Sequence, residues 1–97
     1  MPEIRAFDKL DPLIHAPVRL AIVTVLAAVE EADFSYLKEA TKTTDGNLST
    51  HLTKLEQAGY VRITKSFLGK KPLTRCALTV AGRAAYHDYL QALKSYL

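Results

Sequence analysis

The spacing of the apolar residues changes between Leu55 and Val61, and that change calls for a helix followed by a hairpin. In "TTDGNLSTHLTKLEQAGYV" (Thr43–Val61), Leu48, Leu52 and Leu55 recur at i, i+4 and i+7, the repeat of one helix face. Thr44 is placed to cap this helix, with its hydroxyl three residues ahead of the Asn47 amide. Asp45 suits the positive end of the helix dipole, and Gly59, just past the last periodic residue, reads as the stop. From Val61 the period is 2. Val61 and Ile63 alternate with Arg62 and Thr64, and on the return Cys76 and Leu78 alternate with Arg75 and Ala77. Between the two runs "LGKKP" reads as the turn of a β-hairpin, with two lysines at its tip.

The rest of the chain supplies helices around this unit. In "LDPLIHAPVRLAIVTVLAAVEE" Pro12 and Pro17 each stand where a first helical turn tolerates them. They predict a short helix ending near His15 and a longer one from Pro17 to about Glu30. In the longer helix Val18, Leu20, Ile22, Val23, Val25, Leu26 and Val29 cover nearly the whole circumference, so it should be buried on more than one side. Asp33 caps a short helix through Ala40, with Phe34, Leu37 and Ala40 inward. Thr79 opens a long last helix in which Tyr86, Leu90, Leu93 and Leu97 share a stripe, with Tyr89 and Tyr96 beside it. The expectation is one α+β domain, mostly α, over residues 1–97. Its parts are N-terminal helices at about 10–30, a helix-turn-helix at 33–58, a two-stranded hairpin at 60–78 and a terminal helix at 79–97. So small a domain cannot cover an amphipathic terminal helix by itself. A second copy is therefore expected to pack on Leu10, Leu13, Tyr86, Tyr89, Leu90, Leu93, Tyr96 and Leu97, giving a homodimer.

Charge narrows the partner. The net charge is +3, but it is unevenly spread. Residues 1–40 carry four Lys/Arg against seven Asp/Glu, a net of −3, whereas residues 41–75 carry seven Lys/Arg against Asp45 and Glu56, a net of +5. A local excess of this kind suits a polyanion, although a charge run can also be simply solvated. The lone cysteine, Cys76, permits neither an internal disulfide nor a cysteine metal cluster, and as an inward strand residue it reads as a buried thiol. The three histidines, His15, His51 and His87, lack metal-ligand spacing. No nucleophile–base signature, paired carboxylate site or phosphate loop appears, so neither an enzyme nor a cofactor is expected. The longest apolar run, Leu20–Val29, falls short of the roughly 20 residues that span a bilayer, and no signal peptide is visible, so the default location is cytoplasmic.

Two short helices joined by a tight turn, then a hairpin with a basic tip, follow the logic of a winged helix-turn-helix. Its second helix enters the major groove of double-stranded DNA. Under that reading Gly46 lets the backbone approach closely, and Asn47, Thr50 and His51 present hydrogen-bonding groups to base edges. Lys54 reaches a phosphate from the next turn. His51 has a second reading, packing beside Leu55 with a bond to the bracing helix. Lys65, Lys70, Lys71 and Arg75 would touch phosphates, because a basic hairpin tip beside such a helix would track the backbone or the minor groove, while Arg62 is read as structural or solvated. His15 and His87 are read as structural or exposed.

The segments "LDPLIHAPVRLAIVTVL", "TDGNLSTHLTKLEQAGYV", "FLGKKPLT" and "LTVAGR" also resemble the successive signature segments of small winged-helix transcriptional regulators of the MarR/ArsR-like superfamily. The nearest resemblance is to the compact winged helix DNA-binding domain group. It spans roughly Leu10 to Leu93 and implies a homodimer on operator DNA. It also implies recognition roles for Thr44, Gly46, Asn47, Thr50, His51 and Lys54, and wing roles for Lys70 and Lys71. Two departures stand out. ArsR-type metal sensors carry cysteines in or near the recognition helix, and this helix has none. Larger MarR proteins have extra helical mass around an aromatic-ligand pocket, for which this chain is short, so the resemblance implies no particular small-molecule effector. A protein-interaction module on the same fold is the competing reading, but it has no need of the basic segment.

Overall fold

The computed structural model describes residues 10–97. Its helices are α1 (Pro17–Ala27), α2 (Phe34–Thr41), α3 (Asp45–Gln57) and α4 (Val80–Lys94), and its strands are β1 (Ala32–Asp33), β2 (Val61–Leu68) and β3 (Lys71–Leu78).

Local chemistry sets most of the boundaries. Pro17 opens α1, where its missing N–H is no loss. Asp33 caps α2 by accepting from the Tyr36 amide at 2.7 Å, Thr44 caps α3 through the Asn47 amide at 3.2 Å, and Thr79 caps α4 through the Gly82 amide at 3.0 Å. Helix α3 ends in a Schellman motif. The Gly59 amide donates to the Glu56 carbonyl and the Tyr60 amide to the Leu55 carbonyl, both at 2.9 Å. Gly59 stands at φ +81°, a backbone that favours glycine. The tight turn after α2 instead uses Lys42 at φ +51°, a left-handed residue with a side chain.

Several expectations need correction. The segment before Pro17 is a single turn, closed by the His15 amide on the Asp11 carbonyl at 2.8 Å, not a helix. Helix α1 stops at Ala27, three residues short of Glu30. Ala40 is exposed, because α2 is short and only Leu37 is fully inward. The expected two-stranded hairpin belongs to a three-stranded antiparallel sheet, ordered β1-β3-β2, in which Ala32 pairs with Cys76 and Asp33 with Arg75. With strands on both sides, β3 is central at its base, and there Cys76, Ala77 and Leu78 are all buried, so alternation fails.

The core joins Ile22, Val23 and Leu26 of α1, Leu37 of α2, Leu48, Leu52 and Leu55 of α3, and Val61, Cys76 and Leu78 of the sheet. The last helix also spends part of its stripe inside the chain. Tyr89 is 2% exposed and its hydroxyl meets His15 Nδ1 at 2.8 Å, and Ala92 is buried too. Tyr89 is therefore corrected from a surface for a second copy to a core residue. Leu10, Leu13, Tyr86, Leu93 and Tyr96 are half-buried, while Leu90 and Leu97 remain exposed.

Helix α4 sits directly on the end of α3. A Cβ built on Gly82 would fall on the Tyr60 carbonyl oxygen, which already accepts from the Thr79 amide at 3.0 Å. The obstacle is backbone and cannot swing aside. Gly82→Ala should therefore destabilise the chain by about 1–3 kcal/mol or more, read by denaturant unfolding, despite alanine's better helix propensity.

Tyr60 is tied down through its side chain as well. Its hydroxyl donates to Asp11 Oδ2 at 2.6 Å. That bond, then burial and the nearby carboxylate charge, push its ionisation up from the ordinary 10 to about 12. The phenol must stay protonated to hold Asp11, so its contribution is complete below pH 10 and is lost as the pH rises towards 12. Tyr60→Phe should cost about 1 kcal/mol at neutral pH and should flatten the fall in stability over that alkaline range, measured by urea titrations at successive pH values.

Candidate nucleic-acid interface

Helix α3 divides cleanly by face. Leu48, Leu52 and Leu55 are buried, while Gly46, Asn47, Ser49, Thr50, Thr53, Lys54 and Gln57 are exposed. The outward face thus carries hydroxyls, amides and one cation. Ser49, Thr50, Thr53, Lys54 and Gln57 line a shallow groove along the helix. The Thr53 hydroxyl donates to the Ser49 carbonyl at 2.9 Å. Asp45, the acid at the front of the helix, is met by Lys38 of α2 at 3.0 Å, so its charge is locally balanced.

The recognition residues expected from the sequence fall into three groups. Gly46, Asn47, Thr50 and Lys54 share the open face. Thr44 is exposed, but its hydroxyl is engaged as the helix cap. His51 is half-buried, and its Nδ1 lies 3.2 Å from Nη1 of Arg19. The internal partner of His51 therefore comes from α1 and not from the bracing helix. Arg19 is itself anchored, its Nε donating to the Leu13 carbonyl at 2.6 Å. Burial first, then the charges of Arg19 and Lys54, hold the His51 imidazole below its usual ionisation range. A guanidinium can only donate, so Nδ1 is the acceptor and the proton sits on Nε2.

The wing residues divide as well. Residues paired across β2 and β3 share a ribbon face. One face carries Ile63, Lys65 and Phe67 with Cys76, Thr74 and Pro72, and the other carries Thr64, Ser66 and Leu68 with Arg75, Leu73 and Lys71. The first face turns towards α3. Ile63, Lys65 and Thr74 line a cleft of about 460 Å³ with Phe34, Ser49, Leu52, Thr53 and Glu56. Lys65 thus joins the recognition helix across a cleft. Lys70 and Lys71 stand exposed at the far end of the hairpin. Arg75 lies on the face opposite Lys65, near the base of the hairpin, and pairs with Glu31 at 3.5 Å.

Sequence reading missed Ser49 and Thr53, although helical spacing from Gly46 places both on the outward face. It could not have found Arg19, which lies 32 residues from the histidine it holds. Cys76 is buried, and desolvation first, then the charges of Glu56 and Asp33, push its thiol up to about 11. Among the described residues no cluster of His, Cys, Asp and Glu could hold a metal ion, and no helix is long and apolar enough to cross a membrane.

Comparison with known proteins agrees with this geometry. A family model described as a winged helix DNA-binding domain matches residues 18–97. An uncharacterized protein of Methanocaldococcus jannaschii is 38% identical over 78 residues, covering 80% of this chain and 85% of that one. A transcriptional regulator homologue from Pyrococcus horikoshii has a structure similar at a TM-score of 0.88 and 27% identity, covering 96% and 94% of the two chains. A MarR-family transcriptional regulator from Silicibacter pomeroyi shares the fold at a TM-score of 0.68 and 22% identity, with this chain covering 62% of its length. Overoxidized AbfR bound to DNA shares it at a TM-score of 0.78 and 20% identity, covering 95% and 67% of the two chains.

Removing Arg19 takes away a cation beside His51 and opens one side of the ring. Arg19→Ala should therefore raise the His51 pKa towards 6.5, read from the pH titration of the imidazole Hε1 proton by NMR. An unchanged titration would mean that burial from elsewhere governs the ring.

Proposed function

The chain belongs to the winged helix DNA-binding domain family, whose members are regulators and not enzymes, and from that premise we propose that it acts as a sequence-specific transcriptional regulator. The observation that carries this reading is the outward face of α3. Its apolar stripe is wholly buried, and its exposed residues include Asn47, Ser49, Thr50, Thr53 and Gln57, with Lys54 at the side and the acidic Asp45 and Glu56 towards its two ends. Such groups match the donor and acceptor pattern of the major groove. Asparagine can pair twice with adenine, and threonine can bond to a base or meet a thymine methyl. The neutral His51, with its proton on Nε2, offers a donor from the same helix. Lys54, Lys65, Lys70 and Lys71 supply the sequence-independent part through phosphate contacts and counterion release. A cytoplasmic location is part of the proposal.

Homodimerisation is part of the proposal. Leu90 of α4 and Leu97 beyond its end are exposed and Leu93 is half-buried, and Leu10 and Leu13 are half-buried as well. A two-fold dimer built on these residues reads a pseudo-palindrome with half-sites about 34 Å apart, or a multiple of that.

Selection of binding sites from a random duplex pool, near physiological salt, tests the reading directly. A pseudo-palindrome with regular half-site spacing supports it, and a pool that stays random overturns the sequence-specific part. On the selected site, Asn47→Ala should cost about 1–3 kcal/mol and relax specificity at one base position. Lys70→Ala should weaken binding to all sequences and flatten the salt dependence by about one unit. Equal loss on every sequence from Asn47→Ala would remove its base-reading role.

A further inference from the structure

The outer half of the wing stands clear of the domain. From Thr64 to Leu68 every residue of β2 is exposed, and so are Gly69 to Pro72. The hairpin closes in two residues. Leu68 pairs with Lys71, and Gly69, at φ +66°, takes the first position of a type II′ turn. Just before this turn stand Phe67, 73% exposed, and Leu68, 70% exposed, the only adjacent pair of large apolar residues left in water among the described residues. Lys65, Lys70 and Lys71 surround them, and the sequence holds no Asp or Glu between Glu56 and Asp88.

Resting on the proposed function, we propose that Phe67, on the ribbon face that turns to α3, is an apolar wedge that enters the minor groove of duplex DNA and opens a base step, while Leu68, on the other face, packs against the groove wall. Exposed apolar residues whose charged neighbours on the hairpin are all cations fit a polyanion with an apolar interior, and stacked bases between phosphate walls are such a partner. The minor groove, about 6 Å wide, is too narrow for both strands of a hairpin but admits side chains from its tip. Phe67 lies on the ribbon face that turns to α3, so DNA seated on the recognition helix meets it. Lys70 and Lys71 are then held at the phosphate walls. Apolar side chains placed between base steps unstack them and bend the duplex towards the major groove.

The test uses the full chain on its selected site, with 2-aminopurine substituted at successive positions and DNA bending measured by end-to-end energy transfer. The expected result is a fluorescence rise at one step per half-site and a bent duplex. The double variant Phe67→Ala/Leu68→Ala should lose both signals and bind about tenfold or more weakly, with an unchanged melting temperature and salt slope. Lys70→Ala should do the reverse, keeping the fluorescence rise and flattening the salt slope. Sequence-selective binding by the native chain without unstacking or bending overturns the wedge and leaves the regulator reading intact. Self-association in sedimentation that the double variant abolishes, with DNA binding unchanged, assigns the tip to a protein contact and likewise overturns it. Absence of any DNA binding by the native chain overturns both readings.

Discussion

Tyr60 is the junction on which the other elements depend. Its amide finishes α3 on the Leu55 carbonyl, its carbonyl accepts the amide of Thr79 at the start of α4, and its phenol holds Asp11. The next residue, Val61, is the buried first residue of β2. Every polar group of one residue is thus used to tie a different part of the chain to the end of α3. Gly59 makes this possible by turning the backbone back at once, and Gly82 by leaving α4 no Cβ to hold it off. The exit of α3 is therefore tied at several points at once. Its front is held by a single cap and one exposed ion pair.

This arrangement suits a helix that must present a fixed face. Around the N-terminal turn, Asp11 is bonded to Tyr60, the Leu13 carbonyl to Arg19, and His15 to Tyr89. Arg19 reaches on from there to His51. A short irregular segment is thereby clasped to α4, to Tyr60 between α3 and β2, and, through Arg19, to the middle of α3. The recognition helix carries its own hydroxyls and amides, but their bearing is set by residues up to 49 positions away in the chain.

How much of this was readable in advance follows from the range of the forces involved. The caps at Asp33, Thr44 and Thr79, the stop at Gly59 and the change of period at Val61 are local, and the sequence carries them openly. The strand Ala32–Asp33 was invisible because two residues make no pattern; only pairing with Cys76 and Arg75 defines it. Beside that pairing Arg75 meets Glu31, an ion pair that the expectation of a phosphate contact from the wing did not include. Tyr89 was misplaced for a related reason. A helical stripe says which residues turn inward together, not whether another element of the same chain is there to meet them, and the turn around His15 meets Tyr89. In the candidate site, Gly46, Asn47, Thr50 and Lys54 were legible by spacing, whereas the clasp on His51 was not.

Cys76 gives the sheet a chemical clock. The thiol is 1% exposed, lies on the strand paired on both sides, and at a pKa of about 11 is almost wholly un-ionised at neutral pH. Alkylation needs both access and thiolate, so in the closed fold the group is silent. Its labelling rate therefore counts openings of β3 away from its neighbours, and with one cysteine in the chain no other site can contribute. A reagent as simple as iodoacetamide would separate wing motions that leave the base of the sheet intact from those that tear it open.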